Sequence, residues 1–233
     1  MIGTAIALAG CLLAAESDYR VLAREYLTLV SRLESRLPGG SIEDTYAAGV
    51  RLGELLSSGT VMEAMKEDEF EVLRKQLPGL VLNRDEVVIA EPEPSYFLDL
   101  AQRYGGPSDR AFFTLLGRIH PDSVWPVYIE QQTDYSGCTR FGQGAVVDSY
   151  RRWRHFRNQF PRAYVRFVAR GLSDIDDHVS QSTCACGDAE STARELGEFA
   201  ASFPDSPAKR AAAARARAIR EHRSPIRFHC ASG

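Results

Sequence analysis

Apolar side chains recur at helical spacing along the first third of the chain, and Pro and Gly interrupt the pattern. Because residues three and four positions apart share one face of an α-helix, this spacing predicts amphipathic helices. The first helix is predicted to begin near Ser17 and to end at Pro38-Gly39-Gly40. A second begins at Ser41, with Asp44 as its capping partner, and a third covers Val61–Gln76. The apolar stripe of the first helix consists of Tyr19, Leu22, Tyr26, Leu29, Val30, Leu33 and Leu37.

A strand pattern follows the third predicted helix. The apolar runs Leu80–Leu82 and Val87–Ala90 flank four polar residues, which predicts a small β-hairpin. An extended linker is the alternative, because Pro92 and Pro94 interrupt the chain directly afterwards. Residues 84–94 are therefore the predicted boundary between an N-terminal helical subdomain at 16–83 and a C-terminal helical subdomain at 95–233.

The C-terminal half contains a weak internal repeat. An amphipathic helix over residues 145–160 ends in the segment 153–161, which aligns with 196–204. Trp153, Phe156, Phe160 and Pro161 match Leu196, Phe199, Phe203 and Pro204, respectively. The segment 196–219 resembles the helical hairpins of tetratricopeptide-like proteins. This resemblance implies that an aromatic residue and Pro close helix A, and that an Ala-rich helix B packs against it. The predicted fold class is mainly α, with tetratricopeptide-like or α-solenoid-like helical hairpins and a small β-hairpin near 80–90.

Composition and charge narrow the class of protein. The chain has 233 residues, of which 44% are hydrophobic and 25% charged, and this balance is typical of a globular protein. A net charge of −3 gives no general attraction to nucleic acid or anionic lipid, so no nucleic-acid partner is expected. After the first fifteen residues, no apolar run approaches the length of a membrane span.

The first fifteen residues are uncharged at their side chains and mostly small or apolar. Within them, Leu8-Ala9-Gly10-Cys11 resembles the lipobox of bacterial lipoproteins. This resemblance implies that residues 1–15 form a signal segment, that cleavage occurs before Cys11, and that Cys11 is lipidated. The protein would then be anchored by lipid in the bacterial cell envelope, on the periplasmic side. The alternative is that these residues are the first turns of a buried helix that continues past Ser17.

Four cysteines remain when Cys11 is set apart: Cys138, Cys184, Cys186 and Cys230. An even number in an exported chain predicts two disulfides. A bond between Cys184 and Cys186 would close a strained ring, so each is expected to pair outward, with Cys138 or Cys230. The alternative is a metal site formed by His178, Cys184, Cys186 and His229, whose sulfur and imidazole atoms are suitable ligands.

Three further segments carry candidate chemistry. Asp174–His178 combines carboxylates with an imidazole, as acid–base or hard-metal sites do, although a solvated helix end explains it better. Arg151–Arg157 is basic and aromatic, and is best explained as the outer face of an amphipathic helix. Glu130–Gly144 is a polar loop that contains Cys138. Its candidate partner-binding residues are Tyr135, Arg140 and Phe141, whose types are enriched at binding hot spots.

No sequence motif for a nucleophile, a nucleotide-binding loop or a metalloprotease is present, and no catalytic residue is assigned. The leading hypothesis is therefore non-enzymatic and requires no cofactor: a periplasmic protein of the cell envelope that binds another protein. Its narrower form is an inhibitor or immunity protein that neutralises a toxic enzyme. The alternative is a metal-binding protein or metal-dependent hydrolase that uses the His/Cys cluster.

Overall fold

The computed structural model describes residues 3–58, 60–85, 87–121, 124–131 and 137–230, with side chains from residue 19 onward. The protein is mainly helical: 64% helix, with ten helices and two small antiparallel β-hairpins among the described residues. This confirms the predicted fold class. Contacts divide the chain into two compact units, Met1–Thr114 and Leu115–Gly233. The division lies further along the chain than the boundary predicted at 84–94.

The first unit is built from helices around one β-hairpin. Ser41 caps the second helix as predicted, because its hydroxyl accepts a hydrogen bond from the Asp44 N–H at 3.2 Å. Gly53 in that helix lies so close to the β-hairpin that a Cβ atom would stand 2.2 Å from the Ala90 carbonyl oxygen. The elements are α1 Gly3–Glu34, α2 Ile42–Ser57, α3 Val61–Ala64, α4 Glu67–Gln76, β1 Leu80–Asn83, β2 Ile89–Pro92, α5 Pro94–Tyr104 and the start of α6 Pro107–Ile119.

The predicted third helix is wrong in one respect, because the structure divides it into α3 and α4. Arg84, from the β1–β2 connection, donates to the carbonyl oxygens of Met62 at 3.2 Å and Met65 at 2.7 Å. Its guanidinium also pairs with Glu67 and lies 4.3 Å from the centre of the Phe70 ring. These carbonyls would otherwise accept hydrogen bonds within a continuous helix, so a side chain from elsewhere in the chain stabilises the break.

The β1–β2 hairpin is confirmed, with Leu82 opposite Ala90 in an antiparallel register. The alternative of an extended linker is therefore wrong. An aromatic cluster fills the core of this unit beside the hairpin. Tyr46 packs edge-on against Phe97 and Phe113, with ring centres 5.2 Å apart in both pairs. Such pairs add to the stability supplied by burial alone.

The second unit contains two successive helical hairpins and a β-hairpin that was not predicted. The pairing of Ile129–Gln131 with Gly137–Thr139 overlaps the segment Glu130–Gly144, which was interpreted as a polar loop. The elements after the end of α6 are β3 Ile129–Gln131, β4 Gly137–Thr139, α7 Ala145–Gln159, α8 Val165–Gln181, α9 Ala189–Ser202 and α10 Lys209–Arg220.

The internal repeat appears as two helix ends of the same shape. Phe160 follows α7 with φ −131° and ψ 67°, and Phe203 follows α9 with φ −125° and ψ 70°. Each donates its N–H to the residue four positions earlier, at 2.8 Å to Phe156 and 3.0 Å to Phe199. The rings within each pair are 5.2 Å and 5.0 Å apart. The aligned aromatic residues therefore end α7 and α9, the first helix of each hairpin, in the same way.

The N-terminal segment lies at the start of α1. Its backbone from Gly3 is helical and continuous with the first predicted helix, but the side chain of Cys11 lies outside the described part of the chain. Lipidation of Cys11 stays a prediction. Over the residues that the structure describes, no helix has both the length and the apolar character needed to cross a membrane.

Candidate binding cleft

The Cys-x-Cys segment lies between two other extended segments of the second unit. Thr139 pairs with Ala185, and Cys184 pairs with Arg227, in two parallel bridges. Since alternate residues of an extended chain face the same side, Cys184 and Cys186 are on one face of this segment. The resulting disulfides are Cys138–Cys186 and Cys184–Cys230, with Cα atoms 5.2 Å and 6.0 Å apart. This confirms the two outward disulfides and decides the pairing that the sequence left open.

The disulfides remove the sulfur ligands of the alternative metal set. A metal binds the thiolate of cysteine, and the sulfurs of Cys184 and Cys186 are bonded to other cysteines. Among the described residues, no group of three or more His, Cys, Asp or Glu side chains is arranged to hold a metal ion. His178 and His229 therefore do not form the predicted cluster with these sulfurs.

A cleft of about 600 Å³ opens beside the disulfides. The segment after α6 forms one wall, β4 forms another, and the end of α8 forms the third, with residues 182–184 beside it. Three segments that carried separate predictions thus meet here: the loop 130–144, the cluster 174–178 and the Cys-x-Cys segment. Convergent polar groups in the concave part of a rigid scaffold are typical of a binding site.

The α8 wall presents Asp174, Asp177 and His178. These residues are three and four positions apart, so they share one side of the helix, while Ile175 and Val179 are buried on another. Asp177 is exposed and His178 is partly exposed. The predicted solvated helix end is thus also one wall of a cleft.

Arg215 of α10 fixes the end of this wall. Its guanidinium donates to the carbonyl oxygen of Val179 at 2.7 Å and to that of Ser182. The carbonyls at a helix C-terminus lack partners within the helix, and a cation also interacts favourably with the helix dipole there. Burial lowers the pKa of Arg215, but a guanidinium stays charged near neutral pH. Arg215 therefore positions the cleft without entering it.

The wall formed by the segment after α6 presents His120, Trp125 and Tyr128. Tyr128 is only 3% exposed, and its ring lies 5.6 Å from that of His178, edge to face. None of these residues was predicted to belong to a site. The available signal was the density of aromatic and Pro residues at 125–128, directly before the loop 130–144.

Several polar groups of the cleft have no polar partner among the described residues. Among the described residues, neither carboxylate of the α8 wall forms an ion pair, and neither cleft histidine nor the Tyr128 hydroxyl forms a hydrogen bond. Buried polar groups normally have partners, so the hydroxyl of the buried Tyr128 beside the exposed carboxylates indicates a place for water or a ligand.

Burial sets the charge of these groups. It lowers the pKa of His120 to about 4, and the positive charge of Arg170 acts in the same direction. Burial also lowers the pKa of His178, against the attraction of Asp174 and Asp177. It raises the pKa of Asp174, although Arg170 and His178 oppose this change. Both imidazoles are therefore neutral at pH 7, and each has one nitrogen that can accept a hydrogen bond.

The predicted partner-binding residues have different surroundings. Phe141 is fully buried at 0% exposure and belongs to the core, so it offers no surface to a partner. The Nε atom of Arg140 lies 3.4 Å from a carboxylate oxygen of Glu130, and both side chains are partly exposed. Tyr135 lies outside the described residues.

A buried carboxylate fixes the end of the loop 130–144. Glu195 of α9 is 3% exposed and accepts hydrogen bonds from the N–H groups of Gly142, Gly144 at 3.2 Å, Val146 at 3.1 Å and Val147 at 3.3 Å. These N–H groups surround the start of α7, where a negative charge is favoured. Glu195 was not predicted to have a role, because nothing local distinguishes it from the other glutamates of α9.

The arginine run 151–157 is largely paired with carboxylates. Arg152 lies 2.6 Å from Asp148, and Arg154 forms two hydrogen bonds to Asp205 at 2.5 Å and 2.8 Å. Arg151 lies 3.6 Å from Glu198. This pairing supports the interpretation as an outer helix face.

Comparison of the chain with protein-family models, with curated proteins and with solved structures found no match.

Proposed function

We propose that the protein is a cell-envelope protein that binds another protein through this cleft. The observation that carries the proposal is the convergence of carboxylate, imidazole and phenol groups that have no ion pair or hydrogen bond to a described residue, between walls held by two disulfides. A site whose backbone is fixed in advance loses less conformational entropy on binding, which favours affinity. In its narrower form, the proposal describes an inhibitor or immunity protein whose partner is a toxic enzyme.

Binding explains the cleft better than catalysis does. A histidine that acts as a general base needs a hydrogen bond to the group it activates and an orienting partner. His178 forms no such hydrogen bond with a described carboxylate or hydroxyl. The hydroxyl of Ser182 is instead 2.8 Å from that of Thr139 and 3.1 Å from the Cys184 carbonyl oxygen.

The location is proposed on the cysteines and the lipobox. Two disulfides are compatible with a secreted or envelope protein, since such bonds persist in oxidising compartments. We place the protein on the periplasmic side, anchored by lipid at Cys11. Mass spectrometry of protein from the native host should show a chain that begins with acylated Cys11. An intact Met1 there would contradict the anchor.

Photo-crosslinking in cells of the native host tests the binding proposal. A photoreactive amino acid replaces Gln181, an exposed residue of the cleft rim, and in the control replaces Lys209, which is exposed but does not line the cleft. We expect one protein to be crosslinked from position 181 and not from 209. This protein and the captured protein should then bind each other when purified. Trp125→Ala should weaken their binding by about 1–3 kcal/mol, as expected for an anchor residue.

The controls separate the cleft from the rest of the surface. Lys209→Ala should leave the affinity unchanged, and circular dichroism should show that each variant folds. If position 181 captures no protein beyond those captured from 209, or if Trp125→Ala binds the captured protein like the wild type, the proposed function is wrong.

A further inference from the structure

We propose that the cleft receives an arginine side chain of the partner protein. This inference rests on the proposed function and adds the chemistry of recognition. It starts from the charges of the cleft. Asp174 and Asp177 line it without an ion pair to a described residue, and no Lys or Arg is among the described residues of its lining. Arg170 influences Asp174 electrostatically, but one cation leaves the two carboxylates with an excess negative charge.

Several groups of the cleft can accept a hydrogen bond from a ligand. Two carboxylates, two neutral imidazoles and the Tyr128 oxygen can all accept, and Tyr128 is only 3% exposed and has no hydrogen bond to a described residue. A guanidinium group has five N–H donors and no acceptor. It therefore satisfies several of these acceptors at once, whereas a lysine ammonium offers three donors.

The aromatic wall supports the same ligand. Trp125 lines the same cleft as the carboxylates of α8, and its side chain is partly exposed. A planar guanidinium stacks on aromatic faces and is more weakly hydrated than an ammonium, so its transfer into a partly buried site costs less. An anionic group, such as a phosphate or a glutamate side chain, would be repelled by Asp174 and Asp177.

Binding of a small probe to the full chain tests this inference. The probe is arginine blocked at both ends. Citrulline in the same blocked form is the matched neutral control, and blocked lysine and blocked glutamate are the cationic and anionic comparisons. The chain has two tryptophans. The indole N–H signal of Trp125 reports on the cleft in NMR spectra, and that of Trp153, which is only 2% exposed in α7, is an internal reference.

We expect the arginine probe to shift the Trp125 signal saturably and to leave the Trp153 signal in place. Citrulline and lysine should bind at least tenfold and about threefold more weakly, respectively, and glutamate should produce no saturable shift. Asp177→Asn should weaken arginine binding at least fivefold. Glu190→Gln, which removes an exposed carboxylate of α9 outside the cleft, should not change it.

The results separate this inference from the function on which it rests. If citrulline binds as well as arginine, or if Asp177→Asn leaves arginine affinity unchanged, the arginine assignment is wrong. If a partner crosslinks at position 181 but the arginine probe does not bind, this inference fails and the binding function stands. If neither the partner nor the probe binds, both fail.

Discussion

At the scale of single residues, His120 combines a polar ring with an environment that disfavours its charge. Burial lowers its pKa from 6.5 to about 4, with a contribution from the positive charge of Arg170. Between these values the unfolded chain binds a proton at this position, while the folded protein does not. The contribution of His120 to stability is therefore complete above pH 6.5 and is lost as the pH falls towards 4.

The pH dependence of unfolding tests this assignment. Protonation of His120 should lower the free energy of unfolding by at most about 3 kcal/mol between pH 7 and pH 4. The steepest slope from this residue is about 1.4 kcal/mol per pH unit. His120→Gln should remove that part of the slope in urea denaturation. His155→Gln, a change at an exposed position of α7, should keep the wild-type slope. Equal slopes for the wild type and His120→Gln would contradict the assignment.

At the scale of elements, the start of α7 is held by a residue of α9. Glu195 is buried and accepts four backbone N–H groups around that helix start. Gly144, at the N-cap of α7, has no side chain that could cap the helix. The carboxylate therefore replaces a local cap and connects the two successive helical hairpins.

Glu195→Gln should lower the free energy of unfolding by about 2–4 kcal/mol. The amide keeps the size of the side chain, but it removes the charge and directs an NH₂ group towards backbone donors. The matched control is Glu198→Gln, one turn further along α9, where the carboxylate is exposed and the change should cost at most about 0.5 kcal/mol. Chemical denaturation at pH 7 measures both. Similar unfolding midpoints for the two variants would show that Glu195 has no special role.

At the scale of the whole molecule, the two compact units differ in their covalent constraints. Both disulfides lie within Leu115–Gly233 and span 48 and 46 residues of sequence. In the chain-entropy model, each loop of this length stabilises the folded state by about 4 kcal/mol. Stability of the second unit should therefore depend on oxidation, while that of the first unit should not.

Hydrogen exchange with and without a phosphine reductant measures this difference unit by unit. Reduction should sharply lower the protection of amides in α8 and α9, and should leave the amides of α2 and α5 unchanged. The double variant Cys138→Ala/Cys186→Ala should show part of the loss even without reductant. Equal loss of protection in both units after reduction would contradict the assignment of the constraints to the second unit alone.

Sequence alone determined those features whose causes are local. Ser41 caps α2 because its hydroxyl reaches the Asp44 N–H three residues away, and such a contact depends on neighbouring residues only. The aromatic residues that close α7 and α9 align in the sequence itself, since the same helix end recurs with the same spacing. The β1–β2 hairpin and the outward pairing of Cys184 and Cys186 likewise followed from short-range rules.

Tertiary structure decided the features whose partners are distant in the chain. Arg84 divides a predicted helix, Glu195 caps a helix that begins 50 residues earlier, and Tyr128 lines the same cleft as the carboxylates of α8. The local pattern assigned Asp174–His178 to a solvated helix end, because a short motif does not report what lies beside it in the fold. Residue type alone assigned Phe141 to a binding surface, because hot-spot enrichment does not report burial. The cleft exists only where three distant segments meet, and that meeting is fixed by packing and by two disulfides.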